Sequence, residues 1–184
     1  VIVFIVPVYL LLSVARSHNV EYLNGIFEMK YNLPIFISQP YIYIANNYDN
    51  LDTLIKELPK HSFGLKGLFP LWALTGIKFI YPKIVDFPIF VNKTELTTVT
   101  LFYDAFYDFG IAGVAVFSTG LGCIGYFFEK MIRSTRHATF YIIYAQVFIY
   151  LALSFFTTWF SNPATWFYFI VTLSIFFICE QKGS

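Results

Sequence analysis

The sequence predicts an all-α, polytopic transmembrane helical protein with a large, partly helical extracytoplasmic loop. Three observations carry that reading. Of 184 residues, 58% are hydrophobic and only 12% charged, whereas a soluble domain approaches a quarter charged. Four apolar runs stand out, at residues 1–15, 109–128, 138–157 and 159–179. Between the first two, residues 16–108 are too rich in Tyr, Phe, Ile and Pro for a disordered linker.

Residues 1–15 are uncharged up to Arg16 and lack the basic leader and cleavage site of a signal peptide. They read as the end of a transmembrane helix that starts upstream, in a longer protein. Residues 16–108 form the extracytoplasmic loop region, with eight Lys/Arg against nine Asp/Glu. Prolines at 34, 40, 59, 70, 82 and 88 cut it into short pieces, because each disfavours helix in the residue before it. Residues 46–60, NNYDNLDTLIKELPK, predict a soluble helix capped by Asp49 or Asn50. Leu51, Leu54, Ile55 and Leu58 form its apolar stripe. Residues 66–81 contain Lys66, Lys78 and Pro70, which predict a segment lying at or dipping into the interface. A full crossing there would raise the span count from four to five and flip the side of residues 16–61.

Phe109 to Phe128 are twenty residues without a charge, enough to cross about 30 Å of hydrocarbon at about 1.5 Å per residue. Gly110, Gly113, Ser118, Gly120, Gly122 and Gly125 predict close approach by a neighbouring helix. The turn at 129–137 sets Lys130, Arg133 and Arg136 against Glu129, and residues 158–163 carry no charge. The positive-inside rule therefore places 129–137 in the cytoplasm and 158–163 outside. Residues 138–157 return outward, and 159–179 cross again, with Asn162-Pro163 at the start and Trp159 and Trp166 as interfacial anchors. Residues 180–184 are then a cytoplasmic tail. Cys123 and Cys179 lie inside apolar runs and read as small buried hydrophobes.

A net charge of +1 without a basic face argues against a nucleic-acid partner. Nucleotide loops, zinc spacings, serine elbows and haem motifs are missing from the sequence. The chemistry-bearing groups on the outer side are Arg16, His18 and Glu21, then His61 and Lys66, then Glu95, Asp104 and Asp108. Both ends of the loop leave the membrane at one face, so the first and last groups can converge on one mouth. A guanidinium there matches the oxygens of a diphosphate. A carboxylate or imidazole can accept a proton from a sugar hydroxyl, and the aromatic residues offer flat faces for sugar rings. Asp104 and Asp108 lie one helical turn apart and repel, which favours a nearby cation or protonation of one acid. Asp104 is equally readable as a cap or an ion-pair partner.

The order PYIYIANNYDNL, then FGLKGLFPLWALTGI, then TELTTVTLFYDAFYDFGIAGVAVFSTGLG resembles the C-terminal part of bacterial repeat-unit polymerases of O-antigen and capsule, the Wzy-type family. The matching positions are Tyr41, Tyr43, Asn46 and Leu51, then Thr100, Tyr107, Asp108, Phe109, Gly110 and Gly113. The likeness covers about residues 30–128; later spans match in kind. It implies a multi-pass glycosyltransferase of the bacterial cytoplasmic membrane with its catalytic loop on the outer face. Such an enzyme moves a glycan from undecaprenyl diphosphate onto an incoming lipid-linked oligosaccharide, without cofactor or metal. Membrane lipids, a chain-length regulator and a flippase would be its partners. On this reading Arg16 and Lys66 hold the diphosphate, with His18 beside them, and Tyr41, Tyr43 and Asn46 bind substrate. Asp108 or His61 serves as base or positions the acceptor, and Asp104 belongs to the same set. His61 lacks the flanking motif of the loop histidine that related ligases use, and outer arginines are few here. Two other classes stay open: a transporter or flippase fragment for a lipid-linked or anionic substrate, and a non-catalytic membrane assembly subunit.

Overall fold

The computed structural model describes residues 25–31, 33–134, 138–155 and 157–183, with side chains as far as Ile178. The predicted end of a first span, with Arg16 and His18, lies outside the described residues. Among the described residues every regular element is helical and no strand occurs. Contacts divide the chain into two units, residues 1–46 and 47–184.

The first unit holds a turn in which the Glu28 N–H donates to the Gly25 carbonyl (3.3 Å), and the opening of helix α1, Ile35–Glu57. The Ile37 and Ser38 N–H groups both donate to the Pro34 carbonyl at 2.9 Å. The helix thus starts well before the cap expected at Asp49 or Asn50. Pro40 sits inside it, in the second turn, where it removes a single backbone donor. Tertiary bonding explains the difference: Asn47 and Asn50 are buried and hydrogen-bonded to residues distant in sequence, and an amide so engaged no longer competes with its own helix backbone.

In the second unit, residues 66–81 fold as two short helices, α2 (Phe69–Leu74) and α3 (Ile77–Ile80). They are separated by Gly76, whose φ of 76° is left-handed. The longer one extends only about 9 Å. A 3₁₀ turn, Pro82–Ile84, follows, and residues 85–101 run without helix across the C-terminal half of α1. Asn50 holds this strap: its Nδ2 donates to the Leu96 and Thr98 carbonyls (3.1 and 2.9 Å), and its Oδ1 accepts from the Asn92 N–H (2.8 Å). Asn47 accepts from the Thr98 hydroxyl (2.7 Å) and donates to the Phe155 carbonyl (3.1 Å). Under the strap lies a core of Leu54, Tyr103 and Tyr107, with Leu51, Leu58, Phe87 and Phe90 against it. Ile55, expected on the same stripe, is half exposed.

Helices α4 (Phe102–Ser134), α5 (Ala138–Ala152) and α6 (Pro163–Gly183) complete the chain. Helix α4 is interrupted at Phe109 and Gly110, where φ/ψ leave the helical region. Beyond the break, residues 110–134 extend about 37 Å. Helix α4 is the one helix among the described residues that is long and apolar enough to cross a membrane. Helices α4 and α5 are antiparallel neighbours: the Leu101 N–H donates to the Ser154 carbonyl at one end (2.9 Å), and the Tyr141 hydroxyl donates to the Ile132 carbonyl at the other (3.3 Å). The first bond falls where α5 has already unwound, so α5 stops short of the predicted 157. Helix α6 lies against α5, with Gln146 Nε2 donating to the Thr172 hydroxyl (3.0 Å) and Phe140 meeting Phe176. Helix α2 packs on α6. A 3₁₀ turn, Trp159–Ser161, leads into α6, whose first N–H groups are met by Asn162 Oδ1 (from Ala164, 2.9 Å) and the Asn162 carbonyl (from Thr165, 3.1 Å).

The outer flanks of these three helices are apolar and bare: Ile111, Val116, Tyr126, Phe148 and Phe177 are each more than half exposed. The small residues of α4 behave differently from expectation. A methyl group added at Gly120, Gly122 or Gly125 would meet nothing within 4 Å. Cys123, expected to be buried, is exposed on the same helix. Close approaches are made at Gly110, by the His61 ring, and at Gly113, by Ala105 and Phe109 of α4 itself.

Candidate functional site

The break at Phe109-Gly110 is an elbow, and the sequence explains it. Gly110 has φ 62° and ψ −149°, a combination essentially confined to glycine. Along a straight helix Ala105 and Gly113 would be about 12 Å apart. Here a methyl group on Gly113 would collide with the Ala105 carbonyl oxygen and stand 2.7 Å from Phe109 Cβ. The chain folds back on itself, and only a residue without a side chain fits the inner corner.

Breaking the helix frees carbonyls that need donors. The segment 61–67 supplies them. The Ser62 and Phe63 N–H groups donate to the carbonyls of Tyr107 (3.2 Å) and Asp108 (3.1 Å). His61 Nδ1 lies 3.2 Å from the same Tyr107 oxygen, so Nδ1 carries the proton. The imidazole stands edge-on to Phe106 and borders Gly110. Asp108, 4% exposed, completes the clasp. Its carboxylate accepts from the Ser62 hydroxyl, the Lys66 N–H (3.1 Å) and the Gly67 N–H (2.7 Å). Gly67 is required: a methyl group there would stand 2.7 Å from Asp108 Oδ2. Asp108 and His61 are therefore brought together around the elbow, and both bond segment 61–67 to the end of the first part of α4.

Asp104 faces elsewhere. One turn earlier and 7% exposed, it lies 3.8 Å from Lys66 Nζ through Oδ1. The ammonium also stands over three rings, Tyr107 at 4.6 Å, Tyr103 at 5.7 Å and Phe87 at 5.8 Å. Asp104 precedes the elbow and lies outside the long apolar part of α4. Burial pushes its carboxyl above the ordinary range, opposed by Lys66 and by the hydroxyls of Ser161 and Thr158. Tyr103 is held by two hydrogen bonds to one residue: its hydroxyl accepts from the Phe90 N–H and donates to the Phe90 carbonyl, both 2.8 Å. Burial pushes the phenol up to about 12.

Lys66 and Asp104 line an open cleft of about 340 Å³. Phe69 and Phe87 form apolar walls, and Thr158 and Ser161, from the turn into α6, bring hydroxyls to its edge. The cleft thus sits where the strap, segment 61–69, the start of α4 and the start of α6 meet. His61 and Asp108 do not line it. Tyr41, Tyr43 and Asn46 belong to the first unit, where Tyr41 is exposed, Tyr43 half-buried and Asn46 buried. Thr100, also in the resembling passage, is buried, and its hydroxyl has no partner among the described residues.

Sequence reasoning missed Ser62, Gly67, Tyr103, Thr158 and Ser161. The first two are near-featureless loop residues, and the last two are uncharged polar groups in a turn read as topology. No group of three or more His, Cys, Asp or Glu side chains among the described residues could hold a metal ion. No family model, curated protein or solved structure matches the chain.

Proposed function

We propose that the chain is part of a membrane glycosyltransferase that polymerises undecaprenyl-diphosphate-linked oligosaccharide repeat units into O-antigen, capsular or exopolysaccharide. The membrane in question is the bacterial cytoplasmic membrane, crossed several times, with residues 16–108 on the outer face. The bare apolar flanks of α4, α5 and α6 support membrane residence, since such surface is costly in water. Arg16 and His18 retain their proposed place beside the diphosphate, and a chain-length regulator and flippase their place as partners.

One observation carries the reading: an acid–lysine pair lining an aromatic-walled cleft, next to the long apolar part of α4. That is where a lipid-linked substrate would present a sugar, and the cleft combines aromatic walls, hydroxyls and a carboxylate within one cavity. Asp108 and His61 serve this site by holding segment 61–67, and so the Lys66 backbone, against α4.

The test uses membranes carrying the protein, supplied with undecaprenyl-diphosphate repeat units, with products resolved on a gel. A ladder of lengths that disappears in Asp104→Asn supports the proposal. A ladder untouched by that substitution removes the cleft from the reaction. A single added unit indicates a ligase, and movement of substrate across the bilayer without new glycosidic bonds indicates a flippase.

A further inference from the structure

The cleft holds a charged pair, yet its charges cancel. Lys66 Nζ is met by the Asp104 carboxylate and by three aromatic faces. An ammonium so engaged has little field left for a diphosphate, and a diphosphate there would also approach the Asp104 carboxylate. The remaining surface suits a different ligand. Phe69 is half-buried and gives the cleft an apolar wall beside Phe87, whose ring already meets Lys66 and Tyr107, and Thr158, Ser161 and Asp104 bring oxygens to the lining. Stacking on one side and oxygens on the other fit an uncharged sugar ring.

We propose that this cleft is the subsite for a neutral sugar ring of the acceptor, and that Asp104 takes the proton from its attacking hydroxyl. Lys66 is then a positioning residue that orients Asp104, and the diphosphate lies elsewhere. The proton-transfer half rests on the polymerase reading above; the sugar-binding half stands without it. In the step, the acceptor oxygen bonds to the anomeric carbon of the donor glycan. The bond from that carbon to the diphosphate oxygen breaks, and its electron pair leaves with the lipid diphosphate. The hydroxyl proton goes to Asp104. The charged and titratable groups facing Asp104 are Lys66 from segment 61–67 and Asp108 and Tyr103 from its own helix. The raised affinity of the buried carboxyl for protons suits that role.

The binding half is tested by saturation-transfer NMR on the full protein in detergent, with the repeat-unit oligosaccharide as its uncharged methyl glycoside. Ring protons should receive saturation from the wild type, and inorganic pyrophosphate at ten-fold excess should leave the signal unchanged. Asp104→Ala and Thr158→Val should reduce it about 5-fold or more, with helix content checked by circular dichroism. Displacement by pyrophosphate, or equal binding by folded variants, overturns the subsite. The transfer half is read from the pH profile of kcat/KM. Asp104→Asn should lose the acidic limb and fall about 100-fold or more. Lys66→Gln should shift that limb to higher pH, and Lys66→Arg should restore it. An acidic limb unchanged in Asp104→Asn overturns the assignment while leaving the polymerase in place. A wild type that binds the glycoside and makes no polymer overturns the proposed function and the proton transfer, and upholds the sugar subsite.

Discussion

Lys66 meets both acids of α4 at once: its backbone N–H donates to Asp108 (3.1 Å) and its ammonium lies 3.8 Å from Asp104. Two carboxylates one turn apart on a helix repel, and here a single residue answers both. It does so with a peptide dipole for the acid at the elbow and a full charge for the acid in the cleft. Removing the ammonium while keeping the stem leaves a buried carboxylate uncompensated. Lys66→Met should therefore lose about 3 kcal/mol at neutral pH, read from urea unfolding in detergent. An unchanged midpoint would mean that water already solvates Asp104.

The same geometry sets a pH dependence. Burial raises the Asp104 carboxyl in the folded protein above its ordinary value of 3.8. The folded state then binds this proton more tightly than the unfolded chain does, so the favourable contribution is complete below that ordinary value. It is lost as pH rises from there through the raised folded value. Stability should fall across that window in the wild type, and the part due to this group should vanish in Asp104→Asn. Paired thermal melts of the two proteins from pH 3.5 to 7.5 would show it. Parallel curves would contradict it.

The elbow should be intolerant of side chains. Gly110→Ala meets a backbone region forbidden to it and the His61 ring at 3.2 Å. The expected cost is about 1–3 kcal/mol from the backbone alone. Gly113→Ala should cost more, because its methyl group strikes a carbonyl that cannot rotate away. Added methyl groups at Gly120, Gly122 and Gly125 should be neutral or slightly stabilising through helix propensity. Comparing detergent melting temperatures of the five variants tests the contrast.

How far the sequence discloses this arrangement differs element by element. Helix content was readable from the apolar runs, and α6 opens at Pro163 after Asn162, a junction with a local physical signature. The start of α1 was not readable, because Pro40 and the asparagines argue locally for loop and cap, while the tertiary bonds of Asn47 and Asn50 to residues 92–98 and 155 decide otherwise. Asp104 and Asp108 were visible as a pair. Their separation into a cleft acid and an elbow acid was not, since it depends on Gly110, Gly113 and the turn at 61–67. In isolation, glycines in an apolar helix read as a packing surface.

The strap should be the point at which the second unit opens. Asn50 closes three bonds with one amide, to Leu96, Thr98 and Asn92, and it is fully buried. Replacing it by Leu keeps the branched side-chain shape and removes all three bonds, each contributing about 0.5–1.5 kcal/mol. Residues 85–101 should then exchange their amide protons faster while α4 beyond the elbow keeps its protection, since the Asn50 bonds do not reach it. Hydrogen-exchange mass spectrometry on Asn50→Leu in detergent resolves the two regions separately. Faster exchange confined to the strap would identify Asn50 as its latch. Uniform loss along α4 would mean that strap and elbow unfold as one unit, and the cleft with them.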